Sequence, residues 1–333
     1  MRAMRLLEPG PIEDHPLKMV ELPTPLPSPG QLRLRVQACG VCHTDLHTVE
    51  GDIHPPRLPL TPGHQVVGMV EAVGAGAGER FKAGDRVGVP WLFSACRACE
   101  FCLRGQENLC PEARFTGFHL DGGYAELMLA EADYALPLPA GINPQQAAPL
   151  LCAGVVGYRS LRLSDAQPGE TLGLVGFGAS AHLVIQVAHY WGCRVYVFTR
   201  SDEHRRHALE LGAAWAGGID DQAPRLLDRA VLFAPVGGLV PLTLKKLRPG
   251  GTLAINAIHA SPIPQMPYHL IYGERTLRSV ANATYQDGVD FLRLAAEIPV
   301  HATVAPYPLE EANRALSDLK HSRIKGEAVL VIS

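Results

Sequence analysis

The chain reads as an α/β protein of two parts, a loop-rich β domain followed by a doubly wound parallel sheet. Three observations predict this. Its 333 residues exceed one comfortable core. The first part carries short β-rich runs broken by proline and glycine, and from Thr171 the pattern switches to strand, glycine turn and apolar helix. Hydrophobic residues make up 47% of the chain, ample for two cores.

Taken in order, residues 1 to about 153 contain strand-like runs such as Gln31 to Ala38 and Gln65 to Val73, with punctuation such as PTPLPSPG between them. The second part opens with the strand TLGLV and the turn GFGASA. An apolar helix with Leu183, Val184, Val187, Ala188 and Trp191 follows, then the strand RVYVF, which completes one βαβ unit. Strands at Ala230 to Phe233 and Thr252 to Ile255, separated by Pro241 to Leu247, extend the unit into a parallel sheet. The C-terminal run AVLVIS reads as a final strand.

The net charge of -3 gives no electrostatic footprint for nucleic acid or an anionic membrane, and neither partner is expected. The start MRAMRLLEPG lacks the apolar stretch of a signal peptide, and no run of eighteen apolar residues occurs. A reducing cytoplasm is therefore expected, where thiols stay available to metals.

The cysteines carry the strongest chemical signal. Cys96, Cys99, Cys102 and Cys110 follow a Cys-x2-Cys-x2-Cys-x7-Cys spacing in a lobe of about residues 94–112. Four thiolates this close can share one tetrahedral ion with no open position, which predicts structural zinc; a pair of disulfides is the alternative. Cys42 lies in ACGVCHTDLH beside His43, Thr44, Asp45 and His47, while His64 follows in TPGHQVVG and Cys152 in APLLCAG. Two cysteines and a histidine would make a three-ligand site whose fourth position stays open, as a catalytic zinc requires. Cys39 and Cys193 read as packing residues.

Gly176, Gly178 and Ala181 form Gly-x-Gly-x-x-Ala between a strand and a helix, enclosing Ala179 and Ser180. The first glycine permits the tight turn, the second lets the backbone approach a pyrophosphate, and the helix N-terminus offers N–H groups. Where the second strand ends, the acid that would accept ribose hydroxyls is replaced by Thr199 and Arg200. A hydroxyl and a guanidinium there can hold a 2'-phosphate, with Arg205 or Arg206 assisting, which tips the cofactor expectation from NAD(H) towards NADP(H).

Together, GVCHTD, GHQVVGMVEAVG, the four-cysteine lobe, DGGYAEL, LLCAGVVGY and GLVGFGASAHLVIQVA resemble the zinc-dependent medium-chain alcohol dehydrogenases over the whole chain. FTRSDEHR and SPIPQMPYHLIYGER resemble the bacterial zinc-binding branch. The resemblance implies a GroES-like catalytic domain over residues 1–153 and 284–333 around a Rossmann domain over 154–283. It implies reversible hydride transfer between an alcohol and NAD(P), with two zinc ions per chain, in a homodimer or homotetramer. Two cysteines and one histidine are the established catalytic-zinc ligands of alcohol dehydrogenases. By the same resemblance, Thr44 would bond the substrate oxygen and pass its proton through the cofactor ribose to His47. His43 would sit near the pyrophosphate, and Asp45 would fix the His64 tautomer. Ile53, Trp91, Leu92 and Val155 would wall an apolar pocket for small to medium primary, or small secondary, alcohols and their aldehydes.

Plainer assignments exist for single residues: Thr44 as the cap of a helix beginning at Asp45, His47 as a surface histidine, Cys152 as a small buried hydrophobe, Trp91 as a packing aromatic. Two residues depart from the family pattern. Gln65 stands where a glutamate usually follows the zinc-binding histidine, which implies a more electrophilic metal or slower exchange of its fourth ligand. Val156 replaces a threonine beside the nicotinamide. Two other functions fit the same scaffold: an NADP(H)-dependent reductase of activated or conjugated carbonyls, and a non-catalytic zinc- or nucleotide-binding relative.

Overall fold

A computed structural model describes residues 1–298 and 300–332. Pro299 and Ser333, the last residue of AVLVIS, lie outside the described residues. The chain divides into two compact units, one of Met1–Cys152, Thr284–Arg293 and His301 onward, the other of Ala153–Ala283 and Leu294–Val300. No described helix is long and apolar enough to cross a membrane.

The first unit is organised by the strand Gln31–Val41. Leu32, Leu34 and Val36 alternate inward, as a half-covered strand requires. From Ala38 to Val41 every residue is buried, because Glu327–Val331 pairs along one side and Gln65–Val73 along the other. Among the described residues the sheet runs Val304–Pro308, Glu327–Val331, Gln31–Val41, Gln65–Val73, Arg86–Val89 and Leu136–Pro137, and Leu127–Glu131 also pairs with Gln31–Val41. Its core gathers Leu32, Leu34, Val41, Val66, Val70, Leu316 and Leu330. The register aligns Gly40 with Gln65, so Cys42 and His64 emerge beside each other just beyond the paired backbone.

The second unit carries a parallel sheet ordered Trp215–Gly217, Arg194–Phe198, Thr171–Val175, Leu227–Leu232, Leu247–Ile255 and Thr276–Ser279. This is the 3-2-1-4-5-6 order of a doubly wound fold. Thr171–Val175 is buried throughout, as the central strand of such a sheet must be. Several boundaries differ from the sequence expectation. The helix Ala179–Tyr190 stops before Trp191, which caps it. Leu227–Leu232 starts three residues earlier than Ala230, because Leu227 already pairs with Leu247, and leaves out Phe233, because the pairing with Thr171–Val175 ends at Leu232 opposite Val175. The next helix is Leu239–Lys246, with Pro241 in the first turn, where its missing N–H costs no helical hydrogen bond. Leu247 instead opens the strand Leu247–Ile255, by pairing with Leu227.

Candidate active site

Cys42 Sγ lies 3.3 Å from His64 Nε2, and His64 Nε2 lies 3.3 Å from Cys152 Sγ. The three ligand atoms fall within 4.8 Å of one another. Zinc bonds of about 2.3 Å to sulfur and about 2.0 Å to nitrogen span such a triangle and leave a fourth direction free. Cys42 reaches the site as the N-cap of the helix His43–Glu50, its sulfur accepting from the Thr44 N–H at 3.3 Å. This corrects the capping role considered for Thr44: the helix begins at His43, and Thr44 is its second residue. Cys152 sits at the break between the short turn Ala148–Leu151 and the helix Ala153–Leu163.

Asp45 ties these pieces together. One carboxylate oxygen accepts from His64 Nδ1 at 2.9 Å and from the Gly63 N–H at 3.1 Å, and the other accepts from the Cys42 N–H at 3.0 Å. With Nδ1 committed, His64 presents Nε2 to the two sulfurs. Burial raises the Asp45 pKa, while the His64 imidazole opposes that rise. Cys42 is held well below the ordinary thiol value, first by the Cys152 thiol placed to donate to it, then by His64, and Cys152 moves up correspondingly. The site is therefore set up to carry thiolate, the form that binds metal.

Gly63 keeps His64 in place. Its φ is +98°, and an added Cβ would lie 2.4 Å from Tyr124 Cδ1 and 2.8 Å from Cys39 Sγ. Gly63→Ala is expected to cost about 2–3 kcal/mol, from the left-handed backbone and the clash together, and to displace His64. Urea unfolding, paired with metal content, checks both effects.

The lobe brings its four cysteines together as free thiols. Cys96 Sγ lies 3.9 Å from Cys102 Sγ and 3.5 Å from Cys110 Sγ, spacings of tetrahedral corners and far longer than a disulfide of about 2.05 Å. The backbone N–H groups of Ala98 and Cys99 pull Cys96 down to about 7, whereas burial pushes Cys102 up to about 12.

In the second unit the glycine turn lies at the C-terminal end of Thr171–Val175, where the strand order reverses. Gly176 has a φ of +90°, and a Cβ there would come within 2.9 Å of the Ala234 nitrogen. Gly178 caps the helix Ala179–Tyr190 with no side-chain hydrogen bond and faces open space. The N–H groups of the first turn, at Ala179, Ser180 and the buried Ala181, are free for a pyrophosphate, and the turn fits a dinucleotide. Thr199 is half-buried and Arg200 exposed, as is Arg206. Arg205 is already engaged, donating to the Thr199 carbonyl at 3.0 Å and to Asp202 at 3.0 Å. Val155 is buried and Val156 half-buried in Ala153–Leu163.

Residues 28–140 match the family described as "Alcohol dehydrogenase GroES-like domain", and residues 181–297 the family described as "Zinc-binding dehydrogenase". Over 337 aligned residues, the chain is 48% identical to the "Probable alcohol dehydrogenase AdhA" of Mycobacterium tuberculosis (strain CDC 1551 / Oshkosh), covering 100% of this chain and 97% of that protein. The chain belongs to the zinc-containing medium-chain alcohol dehydrogenase family. It is also 36% identical to an alcohol dehydrogenase of Geobacillus stearothermophilus, over 94% of this chain and 95% of that one. A solved cinnamyl alcohol dehydrogenase from Sorghum bicolor superposes with a TM-score of 0.89 at 28% identity, over 99% of this chain and 97% of that structure.

Against the alcohol dehydrogenase site plan, the structure places the remaining predicted residues as follows. Thr44 is nearly buried, its carbonyl accepting from Thr48 Oγ1 at 2.8 Å. His47 is partly exposed, and its Nδ1 lies 2.8 Å from Asp52 Oδ2. Its ring centroid is 6.3 Å from that of His43, which is exposed. Trp91 stands edge-on to His64 at 4.8 Å and stacks on Phe115 at 5.1 Å, so it borders the metal group while also packing the lobe strands. Leu92 is 3% exposed and pairs with Phe115. Ile53 is half-buried. Cys39 and Cys193 are buried.

Two residues near the site carried no motif in the sequence. Asp52 reaches His47 because Gly51, at φ 86°, turns the chain back at the helix end. Glu327 lies beneath Gln65, and only strand register brings them together.

Proposed function

We propose that this alcohol dehydrogenase interconverts small to medium primary, or small secondary, alcohols and their aldehydes or ketones, using NADP(H) in preference to NAD(H). The observation carrying the proposal is the open triangle of Cys42, His64 and Cys152 with Asp45 locking His64 Nδ1. Zinc held by Cys42, His64 and Cys152 would supply Lewis-acid polarisation of the substrate oxygen, and a bound nicotinamide would supply the hydride acceptor. The residues handle the proton. The Thr44 hydroxyl would take it from the substrate oxygen, and His47 would accept it at the outer end of the relay. Asp52, half-exposed and bonded to His47 Nδ1, orients the imidazole and opens a route to water. Ile53, Trp91 and Val155 are the apolar residues we assign to substrate selection.

The cofactor preference rests on the missing carboxylate at Thr199 and on the exposed guanidinium of Arg200, since Arg205 is occupied. Arg200→Ala is expected to raise the KM for NADPH about tenfold, the size of one lost charge-assisted hydrogen bond, with little change for NADH. Initial rates of aldehyde reduction with both cofactors test this. Equal effects on the two would assign Arg200 to a solvated turn. Enone reduction that survives loss of the Cys42 metal group would instead favour the conjugated-carbonyl reductase.

A further inference from the structure

Gly40 pairs with Gln65 on one side and with Val329 on the other. Glu327 lies two residues before Val329 and therefore shares its face of the sheet. Without a side chain, Gly40 leaves a slot that both neighbours fill: a Cβ there would lie 2.9 Å from Gln65 Nε2 and 2.9 Å from Glu327 Oε1. The donor end of the amide thus stands alongside the carboxylate. Gln65 is 0% and Glu327 1% exposed, and both polar ends of each side chain lack a hydrogen bond of normal geometry.

An unpaired carboxyl in such a place holds a proton until a cation comes close enough to stabilise its charged form. No lysine or arginine among the described residues pairs with Glu327. Burial pushes its pKa up to about 8, with the Cys42 thiolate adding to the rise and Gln65 and His64 opposing it. The strand pairings set Glu327 against Gln65, the residue next to His64, and outside the 4.8 Å group itself. The cation that completes this arrangement is the one the triangle would hold.

We propose that Glu327, reaching in from the C-terminal strand and steadied by the Gln65 amide, is the carboxylate that retains the catalytic metal in this chain. It is a positioning residue acting through space and through Gln65. The inference rests on reading Cys42, His64 and Cys152 as a zinc site. In this chain the amide at position 65 leaves the site's charge in place, because the carboxylate enters from another strand.

The test compares wild type, E327Q and the swap Q65E/E327Q, all isosteric, in competition with a chromogenic zinc chelator and by the absorption spectrum of cobalt bound at the site. The lobe zinc, held by its own four cysteines, reports folding. E327Q should bind the catalytic zinc about 10–100-fold more weakly at unchanged lobe zinc, and the swap should return affinity and cobalt spectrum to those of wild type. Wild-type zinc affinity in E327Q overturns the inference, and so does a swap that binds no better than E327Q. If E327Q fails to fold, the swap decides alone: wild-type affinity supports the inference and weak binding overturns it. A wild-type chain holding only the lobe zinc would instead sink the zinc-site reading itself.

Discussion

Cys42→Ala is expected to reduce alcohol oxidation by a factor on the order of 10³–10⁴, the consequence of losing several kcal/mol of Lewis-acid stabilisation. Zinc content should fall from two ions per chain to one. Cys42 does three things at once: its sulfur faces His64 Nε2 at 3.3 Å, it accepts from the Thr44 N–H, and its own N–H bonds Asp45. Alanine removes the first two and keeps the third, so the fold should survive with a melting temperature near wild type. Metal analysis and initial rates on the same preparation check the pairing. A variant with one zinc and full activity would mean that the chemistry lies elsewhere.

Cys99→Ser is expected to act on stability more than on chemistry. Within residues 96–110 only Asn108 and Cys110 are buried, and the helix Glu100–Leu103 buries nothing. A lobe with so little core is held by its metal. Breaking the four-thiolate set should release that zinc, open the lobe to protease near the exposed Leu103, and lower the melting temperature by about 5–10 °C, equivalent to a few kcal/mol. Limited proteolysis with mapping of the first cut tests it. An intact lobe without zinc would show that its contacts to the rest of the first unit, such as the Tyr285 N–H donating to Glu107 Oε1 at 2.7 Å, suffice.

The parts legible in sequence are those whose chemistry is local. The four cysteines sit within one short loop, and Gly176, Gly178 and Ala181 within one turn, so residue type and spacing already constrain the geometry. The grouping of Cys42, His64 and Cys152 was legible through family motifs, and strand register explains it physically. What escaped depends on register across distant segments. Glu327 and Gln65 meet only because Gly40 is paired on both sides, across more than 250 residues of chain, and nothing in AVLVIS marks its neighbour as functional. Asp52 depends on the left-handed turn at Gly51, which a short glycine-containing loop does not announce. Strand ends such as Leu227 were set by pairing partners, a tertiary effect that overrides local pattern.

Asp45 gives the two metal groups different histories. By gathering the Cys42, Gly63 and His64 segments through hydrogen bonds of its own, it builds the catalytic triangle from protein alone, ready before any ion arrives. In the lobe no carboxylate among the described residues plays that part; its thiols are held by lobe backbone alone, the Cys99 N–H donating to Cys96 Sγ at 3.3 Å and the Cys96 N–H to Cys110 Sγ at 3.5 Å. The first zinc is thus expected to enter a finished protein and to exchange there, and the second to be acquired as the lobe folds. A cell short of zinc would accumulate folded, inactive enzyme at the first site and misassembled lobes at the second.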